Sequence, residues 1–168
     1  MALAERVRHA DFLSRSMTAE QAAQHVAHGA TVGLSGFTGA GYPKALPQAI
    51  AAHAQSEHKA GRPYRINVWT GASTAPEVDG LLAAADAMAQ RLPFNSDAMA
   101  RKKINAGEID YIDMHLSHVA QHAWFGFLGR MDVAIIEIVG VTADGLLIPS
   151  TAVGNNKTWL DIADKVIL

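Results

Sequence analysis

The sequence predicts an α/β fold in which helices flank a mainly parallel, open sheet. Short apolar segments rich in valine and isoleucine, such as 65–70 and 132–139, alternate with alanine-rich segments of helical composition. The segments 31–35 and 65–70 each run directly into a turn of small residues, and a helical pattern follows. Apolar strands of this kind are typical of sheets covered by helices on both faces. We therefore predict one α/β domain over residues 1–168.

Each element is predicted from its local pattern. Thr18 and Gln21 form a helix-start signature, and Gly29 stands where that helix would end. Pro76 and Gly107 mark the start and the end of two further helices. The predicted helices are 18–28, 45–60, one from about 76, 97–106, 117–127 and one that follows Asn156 and runs through 163. The predicted strands are 31–35, 65–70, 110–113, 132–139, 146–148 and 165–168.

The composition is that of an ordinary globular protein. A chain of 168 residues, 49% hydrophobic and 18% charged, is sufficient for one domain with a packed core. The formal net charge of -2 provides no positive field for phosphate backbones, so we predict no nucleic-acid partner. The chain has no cysteine, which excludes a disulfide framework, a thiolate zinc site and a cysteine nucleophile.

We predict no membrane segment and no membrane partner. The apolar stretch Val133–Ile136 is interrupted by Glu137 and is far shorter than the ~20 residues of a membrane span. Charged residues at positions 5, 6, 8 and 11 stand where a secretory signal would be apolar, and the acidic ones argue against a transit peptide. We expect a cytoplasmic protein.

A glycine-rich loop, Gly36–Lys44, follows the first predicted strand. Ligands of open α/β sheets collect at the carboxyl ends of the strands, and glycines allow backbone N–H groups to approach an anion or a carbonyl. The loop lacks the Lys-Ser/Thr ending of a P-loop, and Lys44 stands where a dinucleotide turn has its third glycine. Its composition leaves a structural turn and a ligand-binding loop equally open.

A second turn of small residues, Gly71–Thr74, follows the second predicted strand. Its Ser73 is not surrounded by the G-x-S-x-G elbow of a serine nucleophile, and no base is positioned beside it by the sequence. A hydrogen-bonding role in a ligand site and a simple cap of the following turn or helix both remain open.

Three histidines and one glutamate are further candidates for a metal site or a reactive group. His115, His118 and His122 would share one face of a helix; without a carboxylate on that helix, we interpret them as a solvent-facing stripe and predict no metal site. Glu137 interrupts the most apolar strand. On a central strand its pKa would be perturbed, as in a nucleophile or base; the alternative is a hydrogen-bonded or ion-paired residue at the strand end.

Several long segments, in order and spacing, resemble the acetyl-CoA hydrolase/transferase family, and within it the succinyl-CoA:acetate CoA-transferase branch. The segments are SGFTGAGYPK from Ser35, TGAST from Thr70, RLPFNSD from Arg91, INAGE from Ile104 and VGNN from Val153. The resemblance implies a class I CoA-transferase with two related α/β domains, a dimer when full length, and a glutamate that attacks the acyl-CoA thioester.

The resemblance also implies a division of roles. The nucleophilic glutamate belongs to the second domain of the family, so we expect no catalytic residue here, a missing C-terminal domain and an inactive isolated chain. Coenzyme A thioester is the implied substrate together with a small carboxylate, with no tightly bound cofactor. The implied substrate-binding residues are Gly36, Phe37, Thr38, Gly39, Ala40, Gly41, Tyr42, Gly71, Ala72, Ser73 and Asn155.

A different class of function remains open beside this one. The chain could be a stand-alone, non-catalytic module whose glycine-rich loop holds a carboxylate or acyl ligand, or that serves in assembly. The apolar ending Lys165–Leu168 predicts either a final strand of the sheet or a protein that continues.

Overall fold

Six parallel strands form the main sheet of the computed structural model, which describes residues 2–72 and 74–168. In chain order the strands of the protein are β1 Thr31–Leu34, β2 Ile66–Trp69, β3 Met88–Leu92, β4 Asp110–Tyr111, β5 Met131–Ile135, β6 Ile138–Val141, β7 Leu147–Pro149 and β8 Ala163–Ile167. The main sheet has the order β4-β3-β2-β1-β5-β8, with parallel pairing throughout. The predicted α/β fold with a mainly parallel, open sheet is confirmed.

Helices cover both faces of this sheet. They are α1 Leu3–Arg6, α2 Ala10–Ser14, α3 Ala19–Ala23, α4 Ala45–Lys59, α5 Leu81–Ala84, α6 Ala98–Asn105, α7 Leu116–Trp124 and α8 Asn156–Ile162, and a π-helical turn at Pro76–Gly80 leads into α5. Successive side chains of a strand point to opposite faces of a sheet. Val68 of β2 accordingly packs in one apolar cluster with α3, α4 and α5, while its neighbour Trp69 packs in a second cluster with α7 and α8.

Two predicted helix starts are formed by their capping side chains. The Thr18 hydroxyl accepts a hydrogen bond from the Gln21 backbone N–H at 3.2 Å, and the Gln21 side chain accepts one from the Thr18 N–H at 2.9 Å. Asp97 likewise accepts a hydrogen bond from the Ala100 N–H at 2.9 Å at the start of α6. The first of these helices is shorter than predicted, because α3 ends at Ala23 and turns follow it.

The strand predicted over 132–139 is in fact two strands in two sheets. The Ile136 N–H donates to the Ile167 carbonyl at 2.9 Å, so the chain stays beside β8 to that point. Beyond Glu137 the chain forms β6, which pairs with β7 in a separate antiparallel hairpin. The apolar run is continuous across this change of partner, which is why the pattern did not show it.

Strand β3 was missed from the sequence. Its segment, MAQRL, has Gln90 and Arg91 in the middle, and it contains none of the β-branched and aromatic residues that are enriched in strands. The segment is nevertheless central enough that Arg91 is completely buried.

Among the described residues, no helix is long and apolar enough to cross a membrane.

Candidate functional site

The glycine-rich loop and the turn after β2 meet at the carboxyl edge of the sheet. We call residues 36–42 the glycine loop and residues 70–75 the β2 loop, of which Ser73 lies outside the described residues. The Thr38 N–H donates to the Ala72 carbonyl at 3.1 Å, and Phe37 forms an isolated parallel bridge with Ala72. The parallel pairing of β1 with β2 therefore continues into the two loops.

The tip of the glycine loop is a tight, exposed turn. Phe37 and Ala40 exchange backbone hydrogen bonds at 2.8 and 2.9 Å, and between them Thr38 has a φ of +48°. A β-branched residue rarely adopts this left-handed conformation, and such outliers concentrate at ligand-binding and active-site loops. Phe37, Thr38 and Gly39 are exposed, so this tip is accessible to a ligand.

A third segment completes the edge. The Gly154 turn, residues 153–155, lies against the residue that precedes the glycine loop, because the Asn155 N–H donates to the buried Ser35 hydroxyl at 2.8 Å. Gly154 has a φ of +53°, and a Cβ there would overlap the Ser35 Oγ and lie 2.7 Å from the Gly36 carbonyl oxygen. Only glycine allows the three segments to approach so closely.

The Asn155 side chain points to the place where the three segments meet. A Cβ added to Gly71 would lie 3.1 Å from Asn155 Nδ2 and 2.9 Å from Ser35 Oγ. Asn155 Nδ2 is buried and has no hydrogen-bond partner among the described residues. A buried amide donor without a protein partner is unusual in a native fold and leaves a hydrogen bond open to a water, an ion or a ligand.

Tyr42, the last residue of the glycine loop, is hydrogen-bonded to the π-helical turn. Its ring is buried, and its hydroxyl donates a hydrogen bond to Glu77 Oε2 at 2.7 Å. Burial, with the hydrogen bond and charge of Glu77, raises the pKa of Tyr42 to about 12. The same hydrogen bond lowers the pKa of Glu77. Tyr42 was predicted to bind substrate. In the structure its hydroxyl is hydrogen-bonded to Glu77.

Glu137 is an ion-paired residue at the end of β5. Lys44 Nζ donates to its Oε2 at 2.8 Å, and the Ser150 hydroxyl donates to its Oε1 at 2.8 Å. Lys44 also lies 4.4 Å from the centroid of the Tyr42 ring. Both carboxylate oxygens are therefore engaged, which confirms the ion-paired alternative considered from the sequence and disfavours a role as nucleophile.

The β2 loop is held by side chains that sequence reasoning did not place. Ser96 donates its backbone N–H to Thr74 Oγ1 at 3.0 Å, and Arg91 and Asp79 form a fully buried ion pair at 2.6 Å next to the loop. Arg91 and Ser96 belong to the RLPFNSD segment. That segment was a signal of the family, but without β3 it had no position in the fold.

His115 and His118 are exposed and His122 is partly exposed. Their rings follow one another along α7, with centroids 5.6 Å apart for His115 and His118 and 6.1 Å apart for His118 and His122. In the described part of the chain, no cluster of three or more histidine or acidic side chains is arranged to hold a metal ion.

The fold is similar to that of solved structures that include a CoA-transferase. Glutaconate coenzyme A-transferase from Acidaminococcus fermentans superposes with a TM-score of 0.67 at 15% identity, over 90% of this chain and 67% of that one. RipA from Yersinia pestis superposes with a TM-score of 0.58 at 17% identity, over 86% and 32% of the two chains. At these identities the likeness shows the fold alone.

The sequence comparisons define the family. Residues 1–168 match the model of the acetyl-CoA hydrolase/transferase N-terminal domain, and the chain belongs to this family. It is 46% identical over 152 residues to propanoyl-CoA:succinate CoA transferase of Escherichia coli, covering 90% of this chain and 31% of that protein. It is 39% identical over 164 residues to succinyl-CoA:acetate CoA-transferase of Clostridium kluyveri, covering 98% and 30%. It is 34% identical over 173 residues to acetyl-CoA hydrolase of Saccharomyces cerevisiae, covering 99% and 32%. The chain thus spans about a third of the length of these relatives.

Proposed function

We propose that this chain forms the acyl and carboxylate side of the active site of a CoA-transferase or acetyl-CoA hydrolase. The observation that carries this proposal is the buried Asn155 Nδ2 donor, without a partner among the described residues, where the glycine loop, the β2 loop and the Gly154 turn meet. Coenzyme A thioesters and small carboxylates both present oxygen atoms that accept hydrogen bonds from such a donor.

The chemistry proposed is a covalent relay on a glutamate supplied by polypeptide outside these residues. Its carboxylate attacks the acyl-CoA thioester carbonyl, which forms a mixed anhydride and releases the CoA thiolate. The thiolate attacks the glutamyl carbonyl, forms a glutamyl-CoA thioester and releases the acyl group as a carboxylate. An acceptor such as acetate then takes the CoA through the same two steps in reverse, whereas water yields free acid and CoA.

This side of the site would bind and orient. Asn155 Nδ2 would hold the acyl or carboxylate oxygens near the incoming nucleophile beside the glycine loop, which is how positioned donors accelerate a reaction. Ser73 would contribute a hydroxyl from the β2 loop. Glu137 would not react, because Lys44 and Ser150 occupy its two oxygens.

The proposal is tested by comparing this chain with the protein expressed from its full reading frame. We expect the full protein to convert succinyl-CoA and acetate into acetyl-CoA, and this chain alone to give none above background, measured by chromatography of the CoA esters. Turnover by the isolated chain, or a thioester adduct trapped on one of its glutamates, would contradict the placement of the nucleophile.

Calorimetric titration separates this function from that of a stand-alone ligand-binding module. A module must bind CoA thioesters or small carboxylates saturably without any other domain. An inactive full-length protein, together with tight binding by residues 1–168, would favour the module.

A further inference from the structure

A fully buried ion pair stands beside the β2 loop. Neither side chain of Arg91 and Asp79 is exposed to solvent. Arg91 Nε donates to Asp79 Oδ1 at 2.6 Å, and Arg91 Nη2 lies 3.4 Å from Asp79 Oδ2. The guanidinium thus meets the carboxylate with two nitrogens, a geometry that fixes orientation as well as distance.

The pair is hydrogen-bonded to both ends of the β2 loop. Arg91 Nη1 donates to Thr70 Oγ1 at 2.9 Å, where β2 ends, and also to the Leu92 carbonyl. Asp79 Oδ2 accepts the Ala75 N–H at 3.0 Å, where the loop leads into the π-helical turn. One ion pair therefore connects the first residue of the loop to the last.

Stability alone is a poor reason for burying these charges. Removing two charged groups from water costs about as much as their attraction returns, and well-packed apolar residues of similar volume often serve a fold equally well. A charged pair offers directional hydrogen bonds that an apolar pair lacks, and here those bonds end on the loop. The geometry points to a role in placing the loop.

We propose that Arg91 and Asp79 are positioning residues that set the β2 loop in the shape that receives the acyl group. This inference rests on the proposed function, because that function gives the β2 loop its substrate. Neither side chain reaches a ligand, since both are enclosed by protein. They act by fixing Thr70 and Ala75, and through them the residues between.

The first test replaces both charges at once in the full-length protein, as R91M with D79L. We expect cooperative unfolding to persist, faster deuterium exchange in peptides covering 70–75, and a fall of about 10²-fold in kcat/KM for the acyl donor. Exchange in β1 and β5 should be unchanged. A folded double variant with normal exchange in the loop and normal turnover would overturn the proposal.

The second test keeps the ion pair and removes its hydrogen bond to Thr70. This variant tests the positioning role even if the double variant does not fold. T70V deletes the hydroxyl that accepts from Arg91, and we expect faster exchange in the loop and a lower kcat. T31V is the matched control. Thr31 is also buried, but it lies at the amino end of β1, and the two loops lie at the carboxyl ends of the strands. T70V and T31V with the same exchange and the same kcat would refute the assignment.

The two readouts separate this inference from the proposed function. If the wild-type protein has no CoA-transferase or hydrolase activity, the proposed function fails, yet deuterium exchange still reports whether the pair orders the loop. If the wild type is active and T70V leaves both exchange and kcat unchanged, the positioning role fails and the proposed function stands.

Discussion

The glycine loop and the β2 loop lie side by side at one edge of the sheet and are held by different means. The glycine loop is held chiefly by backbone hydrogen bonds and by close packing against the Gly154 turn, with one side-chain hydrogen bond from Tyr42 to Glu77. The β2 loop is held by side chains, chiefly the buried pair of Arg91 and Asp79. The first arrangement should be sensitive to added volume and the second to removed charge.

This difference predicts that a single charge removal is the most damaging change at the site. R91M leaves the carboxylate of Asp79 buried without its cation, and we expect a loss of about 3–5 kcal/mol in the free energy of unfolding, measured by urea titration. R62M is the control, because Arg62 forms its ion pair with Glu57 at the surface and its loss should change the midpoint little. A small effect of R91M would show that water reaches Asp79.

The next largest effect should come from added volume at the glycine-loop side. In G154A the new Cβ meets Ser35 and Gly36 and the residue keeps a positive φ, so we expect a loss of about 3 kcal/mol by urea titration. G61A isolates the backbone contribution, because Gly61 has a φ of +74° and a Cβ there would meet no other atom within 4 Å. Its loss should be about 1 kcal/mol. Equal losses in G154A and G61A would mean that the three segments are not closely packed.

The same contrast explains how far the sequence could predict the molecule. β1, β2 and the small-residue turns after them were predicted because apolar segments ending in glycine carry a local signal. β3 carried none: Arg91 is acceptable in a central strand only because Asp79, twelve residues earlier, is buried beside it. A partner supplied by the tertiary fold is not visible in a local pattern.

The assembly of the candidate site was likewise only partly predictable. Residues that follow parallel strands can be expected at one edge of a sheet, which places the glycine loop beside the β2 loop. Asn155 follows no strand of that sheet and reaches the edge through a hydrogen bond to Ser35, 120 residues away in the chain. Its place in the candidate set came from the resemblance to the family. That its side-chain Nδ2 has no hydrogen-bond partner in the described part of the chain is a property of the fold, which no local pattern carries.

A smaller effect tests the side-chain tether of the glycine loop. The pKa of Tyr42 is raised to about 12 in the folded protein and its ordinary value is 10.0, so the unfolded chain loses this proton first as the pH rises. The corresponding stability is present below pH 10 and is lost as the pH rises toward 12.

In Y42F the loss of unfolding free energy between pH 10 and 12 should be smaller by an amount on the order of 2 kcal/mol, measured by urea titration across this range. Tyr64 provides the comparison, because burial raises its pKa to about 12 and its hydroxyl donates to the Val26 carbonyl, away from the site. Y64F should therefore also lose less unfolding free energy than the wild type between pH 10 and 12. If the unfolding free energy of Y42F fell as steeply between pH 10 and 12 as that of the wild type, folding would not shift the pKa of the Tyr42 hydroxyl.

The smallest effect should come from the half-exposed ion pair near the glycine loop. The Lys44 side chain is 48% exposed and that of Glu137 is 28% exposed, so water screens their attraction. We expect K44M to lose about 1 kcal/mol or less, with a smaller difference from wild type at high salt than at low salt in urea titrations. Glu137 is not left alone in K44M, because the Ser150 hydroxyl still donates to it. K44M and R91M both remove one cation from a hydrogen-bonded carboxylate, and burial is what separates them. Equal losses in the two variants would show that burial does not determine how strongly this edge of the sheet depends on its charges.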